Sequence, residues 1–132
     1  MKKFLLLSIV LLAVLACKKT KFDPAGPTDV RIKNISDQTL TEVKVNIQGN
    51  IKNYGDIGPQ QISDYARFDT AYVKAEITAK VNNETFSTGS VNYMGLTYQG
   101  LVRLTYVVWI SDFTGKKLEI NNVVLEEPLI LE

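Results

Sequence analysis

The chain has 132 residues, with 15 basic and 14 acidic side chains, one cysteine and no histidine. The absence of histidine excludes histidine-based catalytic triads, histidine-ligated metals and the commonest general base. The near balance of charge, without a basic cluster in the folded part, argues against nucleic acid as a partner.

The chain begins with a positively charged start followed by an apolar run. Met1-Lys2-Lys3 precedes residues 4–15, which carry no charge. This run suits the apolar core of a signal peptide and is too short for a spanning helix, which needs about 20 apolar residues. Residues 14–17, Val-Leu-Ala-Cys, resemble the lipobox that the lipoprotein signal peptidase reads. The resemblance implies that the chain is cut before Cys17 and that Cys17 is lipidated.

Three regions follow from this assignment. Residues 1–16 are predicted to be a lipoprotein signal peptide, residues 17–27 the lipidated cysteine and a tether, and residues 28–132 one folded domain. The alternative for Cys17 is an incidental thiol at the end of a signal peptide or core helix. The chain has no second cysteine that could form a disulfide with Cys17.

The tether is rich in lysine, proline and glycine, and fully extended it would reach roughly 30 Å. Lys18, Lys19 and Lys21 would each contribute about 1 kcal/mol near anionic head groups. An aspartate after the cysteine would resemble the signal for inner-membrane retention, and an acidic run there would resemble a surface-export signal. The lysines therefore predict the periplasmic face of the outer membrane.

From Thr28 onward, apolar and polar residues alternate with a period of two, which is typical of half-buried antiparallel strands. The longest run, residues 71–81, places Ala71 and Val73 on one face and Tyr72 on the other. Residues 101–111 and 117–125 are predicted to form a hairpin, with Asn121-Asn122 as a bulge or turn in the second strand. The pattern predicts about seven strands, with alternation at 30–33, 42–47 and 71–81 and further strands at 60–68, 84–92, 101–111 and 117–125, in a two-sheet β-sandwich.

Two stretches resemble the small immunoglobulin-like domains of bacterial lipoproteins of the Bacteroidota type. They are VRIKNISDQTLTEVKV (30–45) and YGDIGPQQISDYARF (54–68). The resemblance implies an all-β, immunoglobulin-like two-sheet antiparallel β-sandwich. In it, Asn34, Ser36 and Asp37 match one turn and Gly58-Pro59 matches another. Asparagine, aspartate and serine are common in turns because their side chains bond nearby backbone groups.

Carboxylates are the remaining candidates for catalysis. Asp64 and Asp69 flank a predicted strand, and Glu126-Glu127 lie near the end of the chain. A pair of carboxylates can hydrolyse a glycoside when the two are correctly spaced. Surface charge is the more usual role for such residues, so no catalytic residue, metal site or cofactor is predicted.

Two aromatic residues are candidates for binding. Val102, Leu104 and Tyr106 share a predicted core face, which turns Trp109 the other way. An exposed tryptophan could stack on a sugar or dock a partner, unless it packs under a loop or a bulge switches its side. Tyr72 has the same ambiguity.

These observations predict a lipid-anchored, non-catalytic envelope protein that binds a partner or supports an assembly. Its partners would be the membrane, through the anchor, and an unidentified protein or glycan. The alternatives are a glycan-binding module that uses exposed aromatic residues and a small carboxylate-based hydrolase. An exposed Trp109 beside a second exposed aromatic residue would favour binding, whereas a cleft with two close carboxylates would favour the hydrolase.

Overall fold

The computed structural model describes residues 26–128, which form an all-β structure with eight strands. Within this range, no helix is long and apolar enough to span a membrane. The strands are β1 (Thr28–Asn34), β2 (Leu40–Ile47), β3 (Asn50–Ile57), β4 (Ala66–Phe68), β5 (Glu76–Val81), β6 (Glu84–Ser87), β7 (Val102–Asp112) and β8 (Lys117–Pro128).

All eight strands belong to one mixed sheet with the order β3-β2-β5-β6-β8-β7-β1-β4. β1 runs parallel to β7, with Ile32 opposite Tyr106, and β6 runs parallel to β8. The other neighbours are antiparallel. The prediction of a two-sheet sandwich is therefore wrong.

The sheet curls until its two ends meet and forms a nearly closed barrel. The hydroxyl of Tyr54, on β3, donates to the carbonyl of Val30, on β1, at 2.7 Å. The side-chain amide of Asn34 donates to the carbonyl of Ile57 at 3.0 Å. These bonds join the first strand in the sheet order to the strand beside the last. The immunoglobulin-like assignment, drawn from the likeness to bacterial lipoprotein domains, is wrong for the same reason.

One core fills the inside of the curled sheet. β1 and β5 alternate strictly between buried and half-buried positions, as the period of two predicts. The same alternation occurs in a sandwich and in a curled sheet, because each exposes one face of every strand. The largest fully buried side chains are Tyr106, Phe68, Phe86, Ile32, Leu40, Ile47, Ile57, Ile77 and Leu104.

Tight turns fix the hairpins. Asn82 and Asn83 connect β5 to β6 with positive φ angles of 51° and 62°, as the two-residue turns of twisted hairpins require. Between β7 and β8, the Asp112 carboxylate accepts from the Gly115 amide at 2.9 Å. The predicted β7–β8 hairpin is present. Asn121 has no opposite residue in β7 and forms the predicted bulge.

Several strand bounds differ from the predictions. β3 was not predicted, and the strands expected at 60–68, 71–81 and 84–92 shorten to β4, β5 and β6. Residues 71–75 form no strand, and there Tyr72 is buried while Val73 is exposed, the reverse of the prediction. The reversal arises because Tyr72 packs against two other tyrosines from a distant loop.

Candidate functional site

The residues singled out in the sequence lie in separate places. Cys17, the signal peptide and most of the tether fall outside the described residues. Trp109 is 40% exposed on the outer face of β7, opposite Glu119 of β8. Close aromatic pairs within residues 26–128 join Tyr72 to Tyr93, Tyr72 to Tyr98 and Phe86 to Phe113, and none includes Trp109. Trp109 therefore stands without an aromatic partner in this part of the chain.

Tyr72 is only 3% exposed. Its ring centroid lies 4.9 Å from that of Tyr93 and 5.3 Å from that of Tyr98. Burial raises the pKa of Tyr72, and the hydroxyl of Tyr98 beside it adds to the shift. Tyr72 thus supports its neighbours and offers no face of its own to a ligand.

Of the candidate carboxylates, Asp64, Asp69 and Glu126 have described side chains, and none of the three is buried. Asp64 and Asp69 are exposed on either side of β4. The Glu126 carboxylate is already bonded to Arg31 and to Tyr65. The side chain of Glu127 lies outside the described part. No three acidic side chains within residues 26–128 are grouped as a metal site.

A network of charged and polar side chains joins the end of β8 to β1 and to the segment before β4. Arg31 donates from Nε to the Thr105 hydroxyl at 3.0 Å and from Nη2 to Glu126 at 2.9 Å. The Tyr65 hydroxyl donates to the other Glu126 oxygen at 3.0 Å. The Tyr65 ring lies 4.7 Å below the Arg31 guanidinium and 5.6 Å from that of Arg103. The network ties the end of β8 to β1 across β7.

The outer edge of β8 is open. β8 has twelve residues and its neighbour β6 has four, so within residues 26–128 the two strands pair only where Lys117 meets Ser87. From Glu119 to Glu126, β8 has a partner on the β7 side alone in this part of the chain. An edge of this kind presents backbone N–H and C=O groups that a further strand could use.

Apolar side chains lie along the open edge. Val123 and Leu125 pair with Tyr106 and Leu104 of β7, so they face the inside of the sheet. Leu125 is nevertheless 52% exposed, because no strand of the described chain covers it from the β6 side. Ile120, which also faces inward, is half-buried.

A groove of about 450 Å³ lies beside the first part of this edge. Leu118, Glu119 and Ile120 form one wall, and residues 90–92 belong to the other. Thr88 fixes the second wall, since its hydroxyl accepts from the Ile77 amide at 2.8 Å and its own amide donates to the Ile77 carbonyl at 2.9 Å. These bonds hold Thr88 beside Ile77, and the groove lies between residues 88–92 and β8.

Sequence reasoning missed this site because it extended a strand through residues 84–92. The signal that could have found it is Thr88-Gly89-Ser90, a turn-forming sequence directly after Phe86. Gly89 has a φ of 86°, which breaks the strand at that point. A short β6 beside a long β8 then leaves an edge uncovered.

Comparison of the chain with family models and with curated proteins gives no match. Among solved structures, it is similar to the NMR structure of a protein from Eubacterium rectale. The two are 16% identical with a TM-score of 0.46, over 76% of this chain and 94% of the other. The nearly closed barrel is assigned from the strand pairing of this chain alone.

Proposed function

We propose that this protein is a lipid-anchored, non-catalytic binding module of the bacterial envelope. In this proposal it takes up an extended segment of a partner protein along the open edge of β8. The observation that carries the proposal is the run from Glu119 to Glu126, which within residues 26–128 is paired on one side only and bears the half-exposed, inward-facing Leu125.

The anchor rests on the sequence of the first 17 residues. Three acyl chains on Cys17 would hold the protein without a spanning helix, whereas one chain binds only reversibly. Lys18, Lys19 and Lys21 favour the periplasmic face of the outer membrane. The Cys17→Ser variant is expected to lose incorporation of radioactive palmitate in cells, and labelling equal to that of the wild type would contradict the anchor. Rapid digestion of the protein by protease added to intact cells would contradict the periplasmic face.

The residue inventory supports a binding role over catalysis. The chain has no histidine, and in this proposal its sole thiol is consumed by acylation. Glu126 is held by Arg31 and Tyr65, which leaves it poorly placed to act as an acid or a base.

An extended peptide fits the edge better than a compact ligand does. A strand added to a sheet gains affinity from backbone hydrogen bonds and specificity from alternate side chains. At this edge, alternate side chains of the added strand would face Ile120, Val123 and Leu125. The preferred segment would therefore carry apolar residues at every second position. Lys74 and Glu119 line the groove and would contact polar side chains at the remaining positions of the added segment.

The binding proposal can be tested with random peptides displayed on phage and selected on the lipidated protein in detergent. Selected peptides should share an alternating apolar pattern and should slow amide hydrogen exchange in residues 119–126. Leu125→Asp should weaken their binding by about tenfold or more, since it places a charge against apolar side chains. Val124→Asp is the matched control, because Val124 is also exposed but faces outward.

Two outcomes would contradict the proposed binding mode. One is peptides whose binding protects amides elsewhere in the sheet and leaves residues 119–126 unchanged. The other is an equal loss of affinity in Leu125→Asp and Val124→Asp, which would place the contact on the outer face.

A glycan-binding role is the second candidate: Trp109 is exposed, as stacking on a sugar requires, but no aromatic residue within residues 26–128 pairs with it. A sugar stacked on the only tryptophan would change its fluorescence, and Trp109→Ala would abolish retention on a glycan array. Retention that Trp109→Ala leaves unchanged would remove this candidate.

A further inference from the structure

β1 begins and β8 ends at the same end of the sheet. Asp29, at the start of β1, and Glu126, near the end of β8, both lie opposite Arg103, at the start of β7. The Thr28 hydroxyl donates to the carbonyl of Gly100 at 2.5 Å, which fixes the start of β1 against the loop before β7. The described part of the chain therefore begins beside Gly100.

Exposed apolar and aromatic side chains lie at this end of the sheet. Tyr98, two residues before Gly100, is 46% exposed, and Met94 is 87% exposed. Val73, next to the buried Tyr72, is exposed as well. We call this surface, formed by residues 72–73 and 93–98, the tyrosine end.

The tyrosine end is built as a rigid surface. The Gln99 amide donates to the Ala71 carbonyl at 2.9 Å and joins the two loops that form it. The Tyr93 hydroxyl donates to the Asn46 carbonyl at 3.1 Å, and the Tyr106 hydroxyl donates to the Tyr72 carbonyl. The two loops are thus bonded to β2 and β7, which holds their backbone in place.

We propose that the tyrosine end rests on the lipid head groups and forms a second, non-covalent contact with the bilayer. The proposal rests on the lipid anchor of the proposed function. A covalent lipid on Cys17 would hold the tyrosine end within roughly 30 Å of the membrane, because the ten intervening residues reach no further.

The side chains suit an interface between water and lipid. Tyrosine is enriched there because its ring is apolar and its hydroxyl can stay hydrated. Met94 adds an apolar side chain, and the tether lysines can attract anionic head groups. Because the anchor makes the contact intramolecular, even a weak affinity of this surface for lipid would orient the protein.

The orientation has a consequence for the binding site. In this arrangement the β7–β8 turn points away from the membrane, and the groove beside Leu118–Ile120 lies toward that turn. A partner segment would then reach the groove from the aqueous side.

The experiment uses the lipidated protein in vesicles of phosphatidylethanolamine and phosphatidylglycerol. Met94→Cys provides one thiol for an environment-sensitive fluorophore, since the sulfur of Cys17 is already in a thioether. Phe113→Cys, in the exposed turn at the opposite end, is the matched control. Both positions are exposed, and because Phe113→Cys removes an edge-to-face contact with the buried Phe86, both labelled variants must first give the wild-type circular dichroism spectrum.

The label at position 94 is expected to shift its emission to the blue in vesicles. Lipids that carry a spin label near the carbonyl should quench it several-fold more than the label at position 113. Trp109 serves as an internal control whose emission should not change. Equal quenching at positions 94 and 113 would overturn the proposal.

Failure of the anchor and failure of this contact give different results. If Cys17 is not acylated, the wild-type protein incorporates no palmitate, and neither labelled variant associates with vesicles. With acylation but no second contact, palmitate is incorporated and both labels remain in water.

Discussion

Asn34 is the residue on which most of the local order at one end of the sheet depends. It is fully buried, and its amide nitrogen donates to the carbonyls of Gln38, Ile57 and Gly58. Its side-chain oxygen accepts from the amide and the hydroxyl of Ser36 at 2.9 and 2.6 Å. One side chain therefore satisfies groups from two segments, the turn after β1 and the end of β3, where an unpaired buried group would be costly.

Asn34→Ala is expected to lower the free energy of unfolding by about 2–4 kcal/mol, because several buried carbonyls lose their donor. Chemical denaturation followed by circular dichroism measures the change. Asn53→Ala is the matched control, since Asn53 is exposed on β3 and should shift stability by less than about 0.5 kcal/mol. Equal losses in the two variants would show that the network around Asn34 is not what stabilises this end.

Turn residues were predictable from the sequence because their bonds are local. Asn34 and Ser36 were assigned to a turn, and they bond to each other within two positions. The fate of Tyr72 was not predictable in this way. Its partners, Tyr93 and Tyr98, are more than 20 residues away, and the alternation of neighbouring residues carries no information about them.

Among the elements, β8 is held on its β7 side and by the charged network at its end. Arg31 contacts Thr105, Glu126 and Tyr65, so it links the end of β8 to β1 and to the segment before β4. This attachment matters because the other edge of β8 is open. Within the described residues, β6 pairs with β8 at Lys117 and at no later residue.

Arg31→Ala is expected to cost about 1–2 kcal/mol of stability and to speed amide exchange in the last part of β8. It removes two hydrogen bonds and the packing of the guanidinium on Tyr65. Arg67→Ala is the control, because Arg67 forms an exposed ion pair with Asp29 that should contribute little. If amide exchange in β8 stays at the wild-type rate in Arg31→Ala, the charged network does not stabilise the strand.

Strands with a clear apolar face were predictable, and β3 was not. Most of its residues alternate between half-buried and exposed, and the apolar Ile51 is exposed. A strand that covers little core gives a weak period, and the turn residues on both sides of it concealed it further. β7 and β8, with a strong pattern and a clear turn, were found almost in full.

At the scale of the whole molecule, the closure of the sheet depends on pairings between distant strands. Val30 lies beside Leu104 in the parallel pair of β1 and β7, and Tyr54 reaches across from β3 to Val30. A period of two specifies which side chains face inward but not which strand lies beside which. This is why the all-β class was predicted correctly and the two-sheet arrangement was not.

Tyr106, which is buried, and Tyr54, which is half-buried, make the closed sheet sensitive to alkaline pH. Burial raises the pKa of Tyr106 and of Tyr54 well above the ordinary value of about 10, and Asp29 adds to the shift of Tyr54. Above pH 10 the unfolded chain therefore loses phenolic protons that the folded chain keeps. Stability is fully present below pH 10 and falls as the pH rises toward the folded pKa values.

We expect the free energy of unfolding to drop by about 1.4 kcal/mol per pH unit above pH 10 for each of these tyrosines. Tyr54→Phe should cost about 1 kcal/mol at pH 7, because the Val30 carbonyl loses its donor, and should make the alkaline slope shallower by about one proton. Guanidinium titrations between pH 7 and 11, monitored by Trp109 fluorescence, measure both effects. A slope that Tyr54→Phe leaves unchanged would mean that this hydroxyl ionises while the sheet is still closed, and that the bond from β3 to β1 does not hold the closure.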